Sequence, residues 1–126
     1  MIFRVCLVLL GAFWMGSGCS QQSKVKRHVA RAESYRKDGD LEKAKIEYLN
    51  VLRLDQTNAA AIVELGSILF DQGAIQQASS FLLRSREIAP LQLENRVKLG
   101  HILLSRGETV KAREEALFVL SRQPVH

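Results

Sequence analysis

Residues 59–92 read AAAIVELGSILFDQGAIQQASSFLLRSREIAPLQ, and the letters of this stretch return at a fixed spacing on either side. Leu65–Gly66 comes back 34 residues later as Leu99–Gly100. Gly73 has Gly39 before it and Gly107 after it. Ala78 has Ala44 and Ala112. Pro90 has Pro124, with Gln56 in the earlier slot. A period of this size marks a repeat architecture, in which each unit is one supersecondary element that cannot bury its apolar face alone. The units are residues 25–58, 59–92 and 93–126.

Each unit reads as two antiparallel helices, A then B. The first pair is predicted at Lys24–Lys37 and Leu41–Leu54, the second at Ala59–Asp71 and Ile75–Ile88, and the third at Gln92–Ser105 and Thr109–Arg122. Gly39, Gly73 and Gly107 suit the left-handed residue that ends a helix. Asp40 and Asn58 suit the N-cap of the helix that follows them. Pro90 and Pro124 forbid continuation of a B helix. Ala32, Gly66 and Gly100 share the eighth position of their units, and Ala44, Ala78 and Ala112 share the twentieth. Small residues there let helices A and B cross closely. Tyr35, Leu41, Tyr48, Leu52, Leu65, Leu69, Ile75, Leu82, Leu99 and Leu103 fill the spaces between, so that stacked hairpins share one core.

The 126-residue chain is 47% hydrophobic and 25% charged, a globular composition, with a formal net charge of +5. That charge implies an anionic neighbour without naming one. Both cysteines, Cys6 and Cys19, precede the repeats, so no disulfide framework or metal cage holds the body together.

Residues 1–18 form a segment of their own. Arg4 is followed by an apolar run, Val5 to Met15, and then by Gly16-Ser17-Gly18 and Cys19. The run is too short for a spanning helix, which needs about 20 residues, and the pattern is that of a secretory signal peptide. The cysteine directly after small residues resembles a bacterial lipobox. That resemblance implies acylation of Cys19, cleavage just before it and, since Ser20 is not aspartate, an outer-membrane site facing the periplasm. Gly16 stands where the lipobox usually has leucine. Residues 19–24 are expected to be a polar, lipid-anchored tether. The basic cluster that follows, Lys24, Lys26, Arg27, His28 and Arg31, suits either anionic headgroups or a solvated first helix.

With glycine, alanine and proline registers in agreement and no insertion, residues 25–126 resemble the tetratricopeptide repeat family. The resemblance implies an all-α, right-handed solenoid of three helix-turn-helix repeats. Arg31, Gln56, Val51, Ser85 and Val119 depart from the family's usual residues. It also implies a concave peptide-binding groove lined by the A helices, here with Lys26, Val29, Glu33 and Arg36, then Val63, Ser67 and Phe70, then Val97, Lys98, His101 and Leu104. Val29, Val63, Val97, Phe70 and Leu104 make an apolar strip suited to an extended or helical segment of a protein partner, while the valines suit packing between neighbouring A helices equally well. The carboxylate clamp of chaperone-binding members would fall on Val29, Glu33, Glu64, Glu94 and Lys98, and it is absent.

No catalytic motif occurs, and His28, His101 and His126 stand apart in sequence. No enzyme activity, cofactor, metal or nucleic acid is therefore expected. Glu114–Glu115 reads as a solvated face. Ala116 to Leu120 is apolar around the whole turn, so a partner, a second copy or further repeats beyond His126 are expected to cover Leu117, Phe118 or Leu120. The start of the body, with His28-Val29-Ala30-Arg31-Ala32 and Gly39-Asp40-Leu41-Glu42-Lys43-Ala44, is similar to long tetratricopeptide lipoproteins of exosortase (PEP-CTERM) and exopolysaccharide systems. A type IV pilus pilotin and a component of outer-membrane protein assembly are further candidates. Each implies a scaffold in an envelope assembly or export machine, and a self-associating structural element is the rival reading.

Overall fold

The computed structural model describes residues 16–123, so the apolar run of the expected signal peptide and Pro124 lie outside the described residues. Among the described residues six helices follow one another: α1 (Gly16–Lys37), α2 (Leu41–Leu54), α3 (Ala59–Asp71), α4 (Ile75–Ile88), α5 (Leu93–Ser105) and α6 (Thr109–Arg122). No strand occurs among the described residues. The helices pack as hairpins α1/α2, α3/α4 and α5/α6, and α2 against α3, α4 against α5 and α3 against α5 join them into a stack.

The turns explain why the period is so strict. Gly39, Gly73 and Gly107 have φ of +79°, +77° and +76°, a backbone conformation only glycine adopts freely. Around Gly39, its own N–H donates to Arg36 O at 3.1 Å and the Asp40 N–H to Tyr35 O at 2.9 Å. Gly73 and Gly107 repeat this pair of bonds with Phe70 and Leu69, and with Leu104 and Leu103. Each turn thereby satisfies carbonyls that a helix end would leave bare. Asp40 Oδ1 then accepts from Lys43 N at 3.2 Å and Asn58 Oδ1 from Ala61 N at 3.1 Å, as expected of N-caps. Ala74, Gln92 and Glu108 precede their helices without a side-chain cap.

Two helix starts differ from expectation. Leu93, not Gln92, opens α5. More substantially, α1 begins at Gly16, so Cys19 and the stretch expected as a tether are helical. The extension has contacts to hold it. Gln21 Nε2 donates to Leu54 O, at the C-terminal end of α2, at 2.6 Å, and Val25 is buried.

Ala32, Ala44 and Ala78 are fully buried where the helices cross. Gly66 is tighter still: a Cβ there would meet Leu82 Cδ2 at 3.1 Å and Leu82 N at 3.3 Å. The third crossing is looser than the shared register suggests. A Cβ on Gly100 would lie 3.8 Å from Glu115 Cβ and 3.9 Å from Ala112 O, ordinary contact distances. Ala112 is only partly buried.

Polar contacts between units also follow the period. Gln72 Nε2 donates to Glu42 Oε1 at 2.7 Å, and Lys45 Nζ donates to Gln72 Oε1 at 3.2 Å. In the corresponding slots one unit on, Arg106 donates to Gln76 Oε1 and to Ser79 Oγ, both at 3.1 Å. Elsewhere equivalent slots carry different chemistry. The slot pair that holds His28 hydrogen-bonded to Glu47 in the first hairpin holds buried Ile62 and half-buried Phe81 in the second. In the third it holds Arg96 paired to Glu115 at 2.7 Å.

Glu115 is thus no solvated residue: it is 4% exposed and also accepts from Arg86 Nη1 at 3.1 Å. Its neighbour Glu114 is exposed. On the rest of α6, Val119 is buried, Phe118 is half-buried, and Leu117 and Leu120 are exposed.

Candidate peptide-binding groove

The expected groove residues come from α1, α3 and α5, and the structure sorts them into two groups. Lys26, Glu33 and His101 are exposed, as are Val97 at 44% and Leu104 at 59%. Val29 and Phe70 are half-buried and pack against the core. Val63 is buried, which removes it from the apolar strip: α5 lies over it, and Asn95 Nδ2 donates to the Val63 carbonyl at 2.9 Å and to Ser85 Oγ at 3.0 Å. Asn95 and Ser85 are themselves buried, so each satisfies the other in a place where neither could reach water.

Lys98 is the other residue placed differently from a free groove cation. It is 8% exposed and sits at the centre of a charge knot. Its Nζ lies 2.6 Å from Ser67 Oγ, 3.0 Å from Asp71 Oδ1 and 2.9 Å from Glu94 Oε1, with the Phe70 ring centroid 5.7 Å away. Burial by itself would lower the Lys98 ammonium's pKa. The hydrogen bonds to Glu94 and Asp71 outweigh it and hold the pKa above the usual lysine value. Lys98 therefore stays charged and ties α5 to α3. Arg36 and Glu64, 3.5 Å apart, tie α1 to α3 in the same way with the charges reversed.

Glu64, Asp71 and Glu94 also fall on groove positions that the family resemblance implies, whereas Asn95 was not among the residues expected there. A signal for the pairing of these positions lay in the register. The sixth position of a unit and the end of the A helix before it carry opposite charges, Glu64 with Arg36 and Lys98 with Asp71. The resulting face has charged walls neutralised within the protein, an apolar end at Val97 and Leu104, and free polar groups at Lys26, Glu33 and His101.

Cys19 is exposed on α1 and unbonded to any sulfur. Among the described residues no helix is long and apolar enough to cross a membrane, and no cluster of three or more His, Cys, Asp or Glu is placed to hold a metal ion.

Residues 25–58 match the family model of the tetratricopeptide repeat. No curated relative matches the chain. The second TPR of Spaghetti (RPAP3), solved bound to an HSP90 peptide, is similar with a TM-score of 0.69 and 17% identity, over 82% of this chain and 98% of that one. MamA is similar with a TM-score of 0.69 and 26% identity, over 84% of this chain and 62% of that one. The O-GlcNAc transferase of Thermobaculum terrenum is similar with a TM-score of 0.69 and 20% identity, over 84% of this chain but 20% of the enzyme. A tetratricopeptide repeat is therefore present at residues 25–58, and the all-helical fold matches tetratricopeptide neighbours across the hairpins that follow.

Proposed function

We propose that the chain is a lipid-anchored protein-interaction scaffold, held at the periplasmic face of a bacterial outer membrane through Cys19 and serving an envelope assembly or export machine. The observation that carries the binding half of this reading is the A-helix face. Its walls are fixed by the Arg36–Glu64 and Lys98–Asp71 pairs, so a bound segment meets a preformed surface and little ordering is left to offset. A neighbour of the same fold was solved with a peptide, which supports the mode of binding. The partner differs in kind, because Val29, Glu33, Glu64 and Glu94 offer no clamp for a terminal carboxylate. Val97 and Leu104 offer apolar anchorage instead. The anchor would confine this face to the membrane surface and raise the effective concentration of a partner there. The scaffold reading assigns no reaction to the chain.

A displayed random-peptide library tests the binding half. Peptides with apolar anchors are expected to be enriched, and Val97→Asp with Leu104→Asp should abolish their capture while the fold persists, since both side chains are exposed. Selection that yields no consensus, or one indifferent to these substitutions, overturns it. The anchor is tested by intact mass: acylation expected on Cys19 and lost in Cys19→Ser.

The second reading is a self-associating structural element, or a pilotin-like assembly factor. It is favoured by Leu117 and Leu120, which are 59% and 64% exposed on one helix. Leu117→Lys with Leu120→Lys should then leave a monomer in sedimentation while peptide capture is unchanged.

A further inference from the structure

The outer side of α1 is built unlike the same side of α3 and α5. The third, fourth and seventh positions of the later units hold Ala61, Ile62 and Leu65, then Asn95, Arg96 and Leu99; all but Arg96 are buried, Asn95 against Val63 and Ser85 of the unit before it. In the first unit those slots hold Arg27, His28 and Arg31. With Lys24 they fall at i, i+3, i+4 and i+7, one stripe of a helix. The four side chains line an open recess of about 260 Å³. Lys24, Arg27 and Arg31 are exposed; the nearest acid, Glu47, is hydrogen-bonded to His28 and lies 4.0 Å from Arg31. Another hairpin's apolar face cannot cover such a stripe, because it would strand the cations without partners. Whatever covers it brings negative charge.

The charge of the whole chain is concentrated at this end. No acid precedes Glu33, whereas Arg4, Lys24, Lys26, Arg27 and Arg31 do, and from Glu33 onward the sequence holds thirteen basic and thirteen acidic residues. The entire +5 excess therefore lies before Glu33. The stripe also shares one continuous helix with Cys19, beginning about 8 Å along it and ending about 18 Å along it at a rise of 1.5 Å per residue.

We propose that this basic face docks on anionic lipid headgroups, laying the first half of α1 against the membrane that Cys19 would tether. The proposal rests on the anchored reading for its setting, though not for its chemistry. A lipid surface fits better than an acidic peptide for two reasons. The recess is lined by basic side chains alone, with no apolar pocket to seat a peptide's side chain. A chain anchored at Cys19 would hold the stripe within reach of headgroups at all times. Each basic residue near an anionic surface adds attraction, and three exposed ones together give about a 100-fold gain in binding.

The test uses the full chain carrying Cys19→Ser, so that no acyl chain contributes, with phosphatidylcholine vesicles and with vesicles in which one third is phosphatidylglycerol. Binding is expected to rise about 100-fold with the anionic lipid and to fall as salt screens it. The triple variant Lys24→Gln, Arg27→Gln and Arg31→Gln should lose that gain with unchanged helicity. A charge-matched control, Lys37→Gln, Lys111→Gln and Arg113→Gln, should keep it. Equal loss in the control assigns the effect to net charge and overturns the proposal. Displacement by inorganic phosphate at matched ionic strength, or tighter binding of polyglutamate than of vesicles, overturns the lipid assignment. An acylated wild-type chain whose Cys19→Ser form ignores phosphatidylglycerol would refute this proposal and leave the anchor standing. Retained lipid dependence without acylation would do the reverse.

Discussion

Arg96 places its guanidinium carbon 3.6 Å from the centroid of the Phe118 ring. The same guanidinium donates to Glu115 Oε2 at 2.7 Å and, through Nε, to Pro90 O at 2.8 Å. Arg122 approaches the Phe118 ring too, at 5.0 Å. Phe118, which the sequence presents as bare apolar surface, is therefore partly roofed by cations. Stacking of this kind contributes roughly 0.5–2 kcal/mol, more as the cation is desolvated.

Glu115 is the centre of that arrangement, and its removal leaves Arg86 and Arg96 facing each other around a gap. Glu115→Ala should destabilise the fold by about 3 kcal/mol, the scale for breaking one partner of a buried pair. Glu114→Ala should stay within about 0.5 kcal/mol, as exposed substitutions do. Urea denaturation of the two variants checks the contrast.

The glycines at the two later crossings should respond in opposite directions. Gly66→Ala drives a methyl group against Leu82, backbone included, and should cost about 1–3 kcal/mol by overpacking. Gly100→Ala meets only ordinary contacts and gains the helix propensity of alanine, up to about 1 kcal/mol. Thermal melts should show the first midpoint falling and the second rising.

Ala74 occupies the slot in which Asp40 caps α2. Its backbone, φ −79° and ψ 62°, is close to that of Asp40, φ −84° and ψ 74°. Ala74→Asp should supply the missing acceptor to the first turn of α4 and stabilise by about 1 kcal/mol. A denaturation midpoint that does not move would show that the first turn of α4 gains nothing from the acceptor.

Tyr48 is buried, and burial, reinforced by the nearby Glu64 carboxylate, pushes its pKa up to about 12 from the ordinary 10.0. Between those values the unfolded chain has lost the phenolic proton and the folded chain retains it. Stability from this group is thus complete below about pH 10 and is lost as pH rises through about 12, a fall of roughly 2–3 kcal/mol. In Tyr48→Phe the alkaline limb of the stability profile should flatten by that amount.

The helical register was legible because it depends on backbone chemistry that single residues announce. Gly39, Gly73 and Gly107 fix where each turn reverses, and the helices α2, α3, α4 and α6 begin and end where those marks predict. The interior of the groove was not legible to the same degree. Lys98 and Val63 lie on a face that the register assigns to solvent, and only the approach of α5 to α3 decides that they are covered. Glu115 shows the same limit within one helix. A turn of about 100° per residue separates it from Glu114, so adjacent acids meet opposite environments. The clue was its slot, which holds half-buried Phe81 one unit earlier. The helical start of α1 had no such clue, since its support, Gln21 on Leu54 O, joins residues far apart in sequence.

The unlike occupants of that recurring slot pair have a consequence for assembly. A chain of near-identical hairpins invites a helix to close on the wrong partner, one period early or late, and so to exchange elements between units or between molecules. Were α5 to close on α4, Arg96 would face Phe81 and Glu115 would lose Arg96; were α1 to do so, His28 would lose Glu47. Each A helix is matched in charge or apolarity to its own B helix, so every mispairing is penalised. Exchanging a single helix between hairpins should for the same reason fail unless both members of the slot pair move together, which makes the linear order of the units a property written into their interiors.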